Sequence, residues 1–534
     1  LDDGTLVGDT DQVLKAFQVI EEIGPTIGCH LNLAKCELWW PTVPDTSAFP
    51  SAIRRVHPDG VELLGSPIGT DIYIQQFAFN IQDSLADIDQ IIGELNDSQI
   101  ELSLLRGCLS FGKINHLLRS CPPATLAPVL AKFDQRLHQI LANILCVPSL
   151  PAAAWSQSAL PVRMGGLGLF HTVDIAPAAY LGSCALTNTL VSAILGYPLA
   201  TFMPLFFEDV FSRHKDLFPS AVTIPDLLDH SHVQRLLSQD VWDSGQRSLL
   251  ATADLQSQAR LRGQSMPQAG AFITAFPIPS MCQRVPDSRL FRVMIRRHLG
   301  LPLLRNPTVC TICKAPFDIF GDHALLCRSG GDKTRRHNAI TQLLIQLAKS
   351  AGLSAHGELP HLLLDGNQRP GDLAIDCYSP GFHLTAFDVT IRATLQPNTL
   401  PHAAGTSGYV ASRAYAEKLR KYSSACRAAN VEFIPLAWET TGGAHEVVHA
   451  TLRAWLKMAA DRSSLPEIVL RHGFYNRLSI VLQQHNGRMV MNRLPAVGAP
   501  LWLFPVGPHR PQDGLLEDPV GLPPPGGLEG PEVV

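Results

Sequence analysis

The 534-residue sequence predicts a multidomain α+β protein, and three observations support this class. A chain of this length holds roughly three or four domains at about 150 residues each. Hydrophobic residues make up 46% of the chain and charged residues 17%, which is ample apolar material for packed cores. Helical periodicity dominates up to about residue 300, whereas strand patterns occur in the first 70 residues and again after residue 370.

The charge is unevenly distributed along the chain. The formal net charge is −4, so no overall basic field indicates a nucleic-acid partner. The segment Arg284–Arg336 nevertheless holds eleven Lys or Arg residues against four Asp residues, a balance of +7. Such a segment predicts either a surface that binds polyanions or an ordinary solvated face.

Cysteine usage and hydropathy restrict the class of protein further. Twelve cysteines in 534 residues are too sparse for a disulfide-stapled secreted scaffold, which favours a reducing, intracellular compartment. The sequence shows no signal peptide and no uninterrupted apolar run of about 18 residues. We therefore expect no membrane partner.

The chain begins with two adjacent carboxylates in the stretch LDDGTLVGD. Asp2 and Asp3 stand between an apolar residue and a β-branched run, which predicts the tip of a hairpin. A carboxylate pair at a turn can hold divalent cations for phosphoryl transfer, although adjacent Asp residues are more often a simple turn or cap. The pattern then predicts a helix over Asp11–Ile23, a strand over Gly28–Leu38, and a hairpin over Gly60–Gly69 around a Gly-Ser-Pro turn.

The middle of the chain is helical in pattern. Residues 75–145 and about 170–300 show helical periodicity, with breaks at CPPATLAP and LPVRMGGLGL. Within a helix predicted at about residues 102–118 and continuing beyond, Lys113, His116 and Arg119 recur at intervals of three. This spacing predicts one helix face, suited either to phosphate contacts or to plain solvation.

Three of the cysteines cluster with a histidine as Cys310-x2-Cys313-x9-His323-x3-Cys327. A Cys-x2-Cys turn lets two thiolates share one metal, and His-x3-Cys puts both side chains on one helix face. These four ligands predict a tetrahedral, structural Zn²⁺ site, and buried free thiols with a chance histidine are the alternative. Basic residues that could meet phosphates flank the cluster: Arg305, Lys314, Arg328, Lys333, Arg335 and Arg336.

Carboxylates and lysines recur in the C-terminal third of the chain. Asp372 follows a Pro-Gly turn at a strand start, and Asp388 lies in the alternating strand FDVT. Two carboxylates on adjacent strands can hold one Mg²⁺ beside a scissile phosphate. Lys418 and Lys421 fall on the helix predicted at Ala411–Ala429, and a lysine near the metal can stabilise charge that develops on phosphate.

Several side chains remain as alternatives around this group. Asp376 shares a strand face with Asp372 at even spacing and is its rival. Glu358, shortly before the Pro-Gly turn, is a candidate third carboxylate. His337 is a candidate for DNA contact or for a helix cap. Lys421 could form only a surface ion pair.

The N-terminal motifs together resemble the second half of a reverse transcriptase palm. LDD corresponds to the Asp-Asp motif that opens the palm hairpin, GCHLNLAKCE with its Lys35 to the next motif, and GVELLGSPIG to the hairpin that grips the primer terminus. The resemblance implies Mg²⁺ ligands at Asp2 and Asp3. The family's further metal-binding Asp belongs to an earlier palm strand that this sequence does not contain, so we expect no polymerisation by this chain alone.

The C-terminal motifs resemble the restriction-enzyme-like nuclease fold, whose pattern is Pro-Asp, a spacer, then Asp/Glu-x-Lys. This chain departs from it in having Pro370-Gly371-Asp372, and Thr390 where the family has Lys. In one branch of the family the lysine has moved to a following helix, which Lys418 and Lys421 suit. Asp372 and Asp388 are then the implied Mg²⁺ ligands.

The order of all these motifs resembles that of non-LTR retrotransposons with a C-terminal restriction-like endonuclease. The implied domains, in chain order, are a partial reverse transcriptase palm (1–72), a helical thumb (73–150), a helical linker (151–300), a zinc knuckle (301–335), a restriction-like endonuclease domain (336–460), a C-terminal extension (461–505) and a disordered Pro/Gly-rich tail (506–534). The tail prediction rests on six Gly and seven Pro in 29 residues.

The resemblance implies a fragment that nicks target DNA for target-primed reverse transcription. Its implied partners are target DNA and the element's RNA, and its implied compartment is the nucleus. The alternative is a non-catalytic, zinc-stabilised nucleic-acid-binding protein, decayed or domesticated from such an element.

Overall fold

The computed structural model describes residues 4–41, 48–196, 206–218, 222–359, 362–363 and 370–494. Asp2, Asp3 and the predicted tail lie outside the described residues. The fold class is confirmed at the coarse level, because the structure is a mixed α/β protein, mostly helical, with small sheets and a Cys/His cluster.

The N-terminal segment contains one helix and two small sheets. Its elements are α1 (Thr10–Ile23), β1 (Glu37–Leu38), β2 (Arg54–Arg55), β3 (Gly60–Leu63) and β4 (Ser66–Gly69). The helix matches its predicted range within one residue. β1 and β2 pair in parallel, and β3 and β4 form an antiparallel hairpin.

The strand predicted over residues 28–38 is wrong except at its last two residues, which form β1. The chain turns instead, because the amides of Lys35 and Cys36 donate to the carbonyl of Asn32. Leu31 is 38% exposed, so the apparent alternation of leucines does not bury one strand face.

The hairpin between β3 and β4 is present, but its turn lies one residue earlier than predicted. Leu64 and Gly65 occupy the turn with φ angles of 51° and 77°. Positive φ at both central residues is the geometry of the tight turns that match strand twist. Ser66 and Pro67 therefore belong to β4 rather than to the turn.

The next five helices contain between 6 and 22 residues. They are α2 (Asp71–Asp83), α3 (Ala86–Glu94), α4 (Ser98–Leu104), α5 (Asn115–Ser120) and α6 (Pro123–Ile144). The prediction of one helix across residues 102–118 is wrong, because a π-helical turn and then a 3₁₀ turn at Phe111–Lys113 interrupt it. Lys113, His116 and Arg119 therefore do not share one continuous helix face as predicted. His116 contacts the hydroxyl of Ser66 at 2.8 Å, and Arg119 donates to Gln234.

The helical linker region contains eight helices within the described residues. They are α7 (Ala152–Ser158), α8 (Thr172–Leu195), α9 (Phe207–Leu217), α10 (Ile224–Asp229), α11 (Val233–Thr252), α12 (Leu255–Gln264), α13 (Ala271–Thr274) and α14 (Ser288–His298). One apolar core runs from Ile74 to Leu301 and includes Ile480. The predicted thumb and linker regions thus contribute to a common core.

Helix α8 is long and apolar enough to cross a membrane by length and composition alone, with a mean hydropathy of 1.4 over its most apolar window. That window is 44% buried, and the helix packs against α5, α6 and α11. Packing of this kind is also what a core helix shows.

The Cys/His segment forms a small module, made of the hairpin β5 (Thr308–Val309) and β6 (Pro316–Phe317) followed by the short helix α15 (Asp322–Leu326). Phe317 and Cys310 are fully buried in its core. That core also receives Met489 and Val490 from the end of the last helix.

The last region is an α/β layer structure. Its elements are α16 (Asp332–Ser350), β7 (Ala355–Gly357), β8 (Leu373–Asp376), β9 (Leu384–Arg392), α17 (Leu400–Gly405), α18 (Tyr409–Ala428), β10 (Val431–Glu439), α19 (Glu446–Arg462) and α20 (Glu467–Met491). The sheet order is β10-β9-β8-β7, with β10 and β9 parallel and the other pairs antiparallel.

Helices cover both faces of this sheet. Phe387 and Val389 of β9 pack with α16, α19 and α20 on one face. Leu384 and Ala386, at the alternate positions, pack with Tyr422 of α18 on the other. Because side chains alternate along a strand, Asp388 belongs to the face that carries α18.

Candidate functional site

The four predicted zinc ligands meet in space. The ligand atoms of Cys310, Cys313, His323 and Cys327 all lie within 4.8 Å of one another. The Sγ of Cys313 is 3.1 Å from Nε2 of His323. Tetrahedral Zn²⁺ with bonds of about 2.0–2.3 Å places its ligands roughly 3.3–3.8 Å apart, so the donor set and the spacing fit zinc.

Local backbone geometry explains why these residues converge. The amide of Cys313 donates to Sγ of Cys310, and Lys314 then adopts a φ of 63°, which turns the chain back into β6. His323 lies in the first turn of α15 and Cys327 directly follows this helix, so one helical turn separates the two residues. The carboxylate of Asp318 holds that turn, because it accepts from the amides of Phe320, Asp322 and His323.

Arg493 attaches the zinc module to the rest of the fold, and the sequence pattern did not single it out. Its fully buried guanidinium forms an ion pair with Asp332 at the start of α16 and donates to the carbonyls of Ser329 and Met489. The pKa of the Cys327 thiol is lowered despite burial, which acts to raise it, because Arg493 hydrogen-bonds the sulfur. A lowered thiol pKa favours the thiolate that metal binding needs.

The basic segment Arg284–Arg336 is not one surface. Arg292, Arg296 and Arg336 are buried, and they bond to carbonyls or to an amide side chain inside the protein. Other members form ion pairs with nearby Asp residues. Lys333 donates to the carbonyl of Leu326. Four cations around the zinc module are exposed, namely Arg305, Lys314, Arg328 and Arg335, and the last of these pairs with Asp332 at 3.0 Å.

The second candidate site centres on Asp388, which is 4% exposed. The ammonium of Lys418 lies 2.7 Å from its Oδ1, and the hydroxyl of Thr390 lies 3.4 Å from its Oδ2. Leu373 pairs with Phe387 across β8 and β9, so continuing that register by one residue sets Asp372 opposite Asp388. The structure therefore brings three predicted site residues together, Asp372, Asp388 and Lys418.

His337 completes this group from α16. Its Nε2 lies 3.1 Å from Oδ2 of Asp372 and 3.1 Å from the carbonyl of Val389. The same carboxylate oxygen accepts from the amide of Val389 at 2.7 Å. The hydrogen bond that His337 donates to Asp372 raises the pKa of His337 against the opposing effect of burial. His337 thus orients the Asp372 carboxylate.

Burial raises the pKa of Asp388, and the neighbouring ammonium of Lys418 opposes that rise. The negative charge of Asp372 adds to it. A buried carboxylate beside a second negative charge forms a site where a cation is favoured.

A buried carboxylate positions the helix that carries Lys418. Glu439, at the end of β10 and 1% exposed, accepts from the amides of Val410 and Ala411 at 3.1 and 3.2 Å. The amides in the first turn of a helix have no partner within the helix, and a negative charge is stabilised at this end. Burial raises the pKa of Glu439, and the amides oppose that effect.

The remaining predicted residues lie elsewhere or at the margin. Asp376 is four residues along β8 from Asp372 and bonds instead to His356 and Ser354, at 2.8 and 2.7 Å. Glu358 is exposed, one residue past β7, and the β7–β8 register sets it in line with Asp372. Lys421 is exposed with its ammonium 4.7 Å from the centre of the Tyr422 ring.

The oxygen donors of Asp372 and Asp388 are the hard ligands that Mg²⁺ prefers. Each carboxylate already has a cationic or imidazole partner, Lys418 for Asp388 and His337 for Asp372. Within the described residues, the Cys/His cluster is the one group of three or more potential ligands that lie mutually within 4.8 Å. A magnesium ion here would therefore rest on two protein carboxylates, with water or phosphate completing its shell.

Comparison with known proteins adds no assignment. No protein-family model matches this chain, and a search of curated proteins finds no match either.

Proposed function

We propose that this chain belongs to a non-LTR retrotransposon protein and carries a metal-dependent DNA endonuclease. The observation that carries the proposal is the contact of Lys418 with Asp388, with Asp372 opposite in the sheet register. The link between this group and the reverse-transcriptase-like motifs at the N-terminus rests on the order of the motifs along the sequence.

Each residue of the site has a role in the proposed cleavage. Asp372 and Asp388 would hold Mg²⁺, which when bound polarises the scissile phosphate and its attacking water. His337 keeps the Asp372 carboxylate in place through the contact at 3.1 Å. Lys418 is close enough to Asp388 to stabilise negative charge on the phosphate or to orient the water.

The zinc module supports the proposal by its position next to α16, the helix that carries His337. Four ligands leave no open coordination position, so its zinc would stabilise the fold rather than act in catalysis. The exposed Arg305, Lys314, Arg328 and Arg335 around it form a surface that suits backbone phosphates.

The test is nicking of a supercoiled DNA plasmid by the full chain in the presence of Mg²⁺. The wild-type protein should nick, Asp388→Ala should not, and Asp376→Ala should nick as well as the wild type because it lies at the other end of β8. Equal nicking by wild type and Asp388→Ala would disprove the nuclease assignment.

A second candidate is a non-catalytic, zinc-stabilised nucleic-acid-binding protein. It is favoured by the engagement of both carboxylates, since Lys418 and His337 already satisfy them without a metal. This candidate predicts salt-dependent DNA or RNA binding with no Mg²⁺-dependent nicking at all. The same plasmid assay, combined with a binding measurement, distinguishes the two functions.

A further inference from the structure

A recess lies away from both candidate sites, where the first half of the helical region meets the second. It has a volume of about 400 Å³. Helix α8 supplies Ile175, Gly182 and Leu186, and the start of α11 supplies the facing side. We call this recess the aromatic cleft.

Close packing of α8 and α11 shapes the cleft. A Cβ added to Gly182 would lie 2.7 Å from the Cβ and 2.8 Å from the amide nitrogen of Gln234. Glycine permits this close approach, which sets the spacing of α8 and α11 beside the cleft.

Three aromatic side chains line the cleft in a row. The ring centres of Phe111 and Phe170 are 6.1 Å apart in an edge-to-face arrangement, and those of Phe170 and Trp242 are 5.0 Å apart. Each of the three is partly exposed. Arg163 places its guanidinium 5.2 Å from the Trp242 ring, which extends the row with a cation.

The polar residues of the cleft are cationic or neutral. Arg119 and Arg235 line it together with His230 and His232, and no Asp or Glu occurs among those lining residues whose side chains the structure describes. Arg119 uses one N–H to donate to Gln234, so other donors of its five remain available. Arg235 is exposed and has no ion pair among the described residues.

This combination selects a ligand that is both aromatic and anionic. Aromatic side chains that stack bases, beside arginines that meet phosphates, are how proteins hold single strands without reading sequence. A volume of about 400 Å³ is within the range of ligand sites, roughly 300–1,000 Å³. The two arginines among the lining residues favour a ligand that carries negative charge.

We propose that the aromatic cleft binds unpaired nucleotides of a single-stranded nucleic acid. The bases pack against Phe111, Phe170 and Trp242, and the phosphates lie at Arg119 and Arg235. The cleft shares no residue with the zinc module or with the Asp388 site, so the proposal is independent of the nuclease.

Anisotropy of a fluorescently labelled oligothymidylate of about ten nucleotides tests the proposal, since single-strand sites span about 4–16 nucleotides. The measurement uses full-length Asp388→Ala protein, which removes any cleavage from the reading. Trp242→Ala should weaken binding by about fivefold or more, because one stacked base contributes at least that factor. Trp242→Phe, which keeps a ring, should recover most of the affinity.

Arg235→Gln provides a variant that cannot be mistaken for misfolding, because the side chain is exposed. It should weaken binding and make the dependence on salt less steep. The control for Arg235→Gln is Arg247→Gln, since Arg247 is exposed on the same helix but lies about 18 Å away at 1.5 Å per residue. The control for Trp242→Ala is Trp39→Ala in the N-terminal segment. Neither control should change affinity.

Three results would overturn the assignment. The first is equal affinity of Trp242→Ala, Arg235→Gln and the parent protein for the oligonucleotide. The second is an equal loss of affinity for a blunt DNA duplex, which would show a general phosphate surface. The third is complete displacement of the labelled oligonucleotide by a free mononucleotide, when both are present at the same total concentration of nucleotides. That result would make the cleft a mononucleotide site.

Discussion

The ammonium of Lys418 lies 2.7 Å from the carboxylate of Asp388, although thirty residues separate them in the chain. The two are brought together because β9 carries Asp388 on the face that α18 covers. A crossover helix between the parallel strands β9 and β10 is what places the lysine there.

Lys418→Met should reduce nicking by about 100-fold or more, the usual loss when a group that stabilises developing charge is removed. DNA binding should be retained, because the substitution leaves the exposed cations around the zinc module in place. Lys421→Met is the matched control: this lysine lies three residues further along α18, is exposed, and its variant should nick normally. A comparable loss in both variants would show that the helix contributes only general positive charge.

Cys313→Ser should remove the zinc and destabilise the module around it. Purified wild-type protein should contain one zinc per chain, measured by elemental analysis, and the variant should contain much less. Metal binding supplies folding free energy in such modules, so the variant should also unfold at a lower temperature. Cys282→Ser changes an exposed cysteine outside the cluster and should keep both zinc and stability. A wild-type preparation without metal and with unchanged stability would exclude a zinc site.

Arg493→Met should lower the free energy of unfolding by up to about 3–5 kcal/mol, because it removes the buried ion-pair partner of Asp332 and leaves that carboxylate only the exposed Arg335, at 3.0 Å, as an ion-pair partner. The control is Arg488→Met, five residues earlier, since Arg488 has no ion pair among the described residues. The double variant Arg493→Met with Asp332→Leu should recover part of the loss in denaturant unfolding. No recovery would mean that the hydrogen bonds to Ser329 and Met489, and not the ion pair, carry the effect.

Acid should destabilise the helical region through His298. Burial, aided by the charge of Arg260, lowers the pKa of His298 from its ordinary value of 6.5 to about 3. The unfolded chain therefore binds the proton first, and stability is lost as the pH falls from about 6.5 toward 3. The loss is at most about 1.4 kcal/mol per pH unit, or about 2 kcal/mol at pH 5.

Unfolding in urea at several pH values measures this dependence. His298→Gln keeps a side-chain donor for the carbonyl of Gly165, which His298 contacts at 2.9 Å, but it cannot titrate. Its stability should change less between pH 7 and pH 5 than that of the wild type. Parallel curves for wild type and His298→Gln would contradict the prediction.

Local patterns predicted the elements whose signals are contained in a few residues. Helix α1 and helix α18 begin and end within two residues of their predicted ranges. The four Cys/His residues that meet in space were predicted from their type and spacing, because a knuckle and one helical turn are local structures. A pattern gave the wrong structure where the same residues could form either of two local structures. At residues 28–38, backbone turns formed in place of most of the predicted strand.

The sequence by itself determined the mixed α/β class and the identity of the Cys/His ligands. Tertiary structure alone decided which of two similar carboxylates joins Asp388, since Asp372 and Asp376 share a strand face and only the β8–β9 register separates them. It also decided that Arg292, Arg296 and Arg336 lie inside the protein and not on a basic surface. Spacing along a chain specifies contacts within one element, whereas contacts between elements depend on register and packing, which form only when the whole chain has folded.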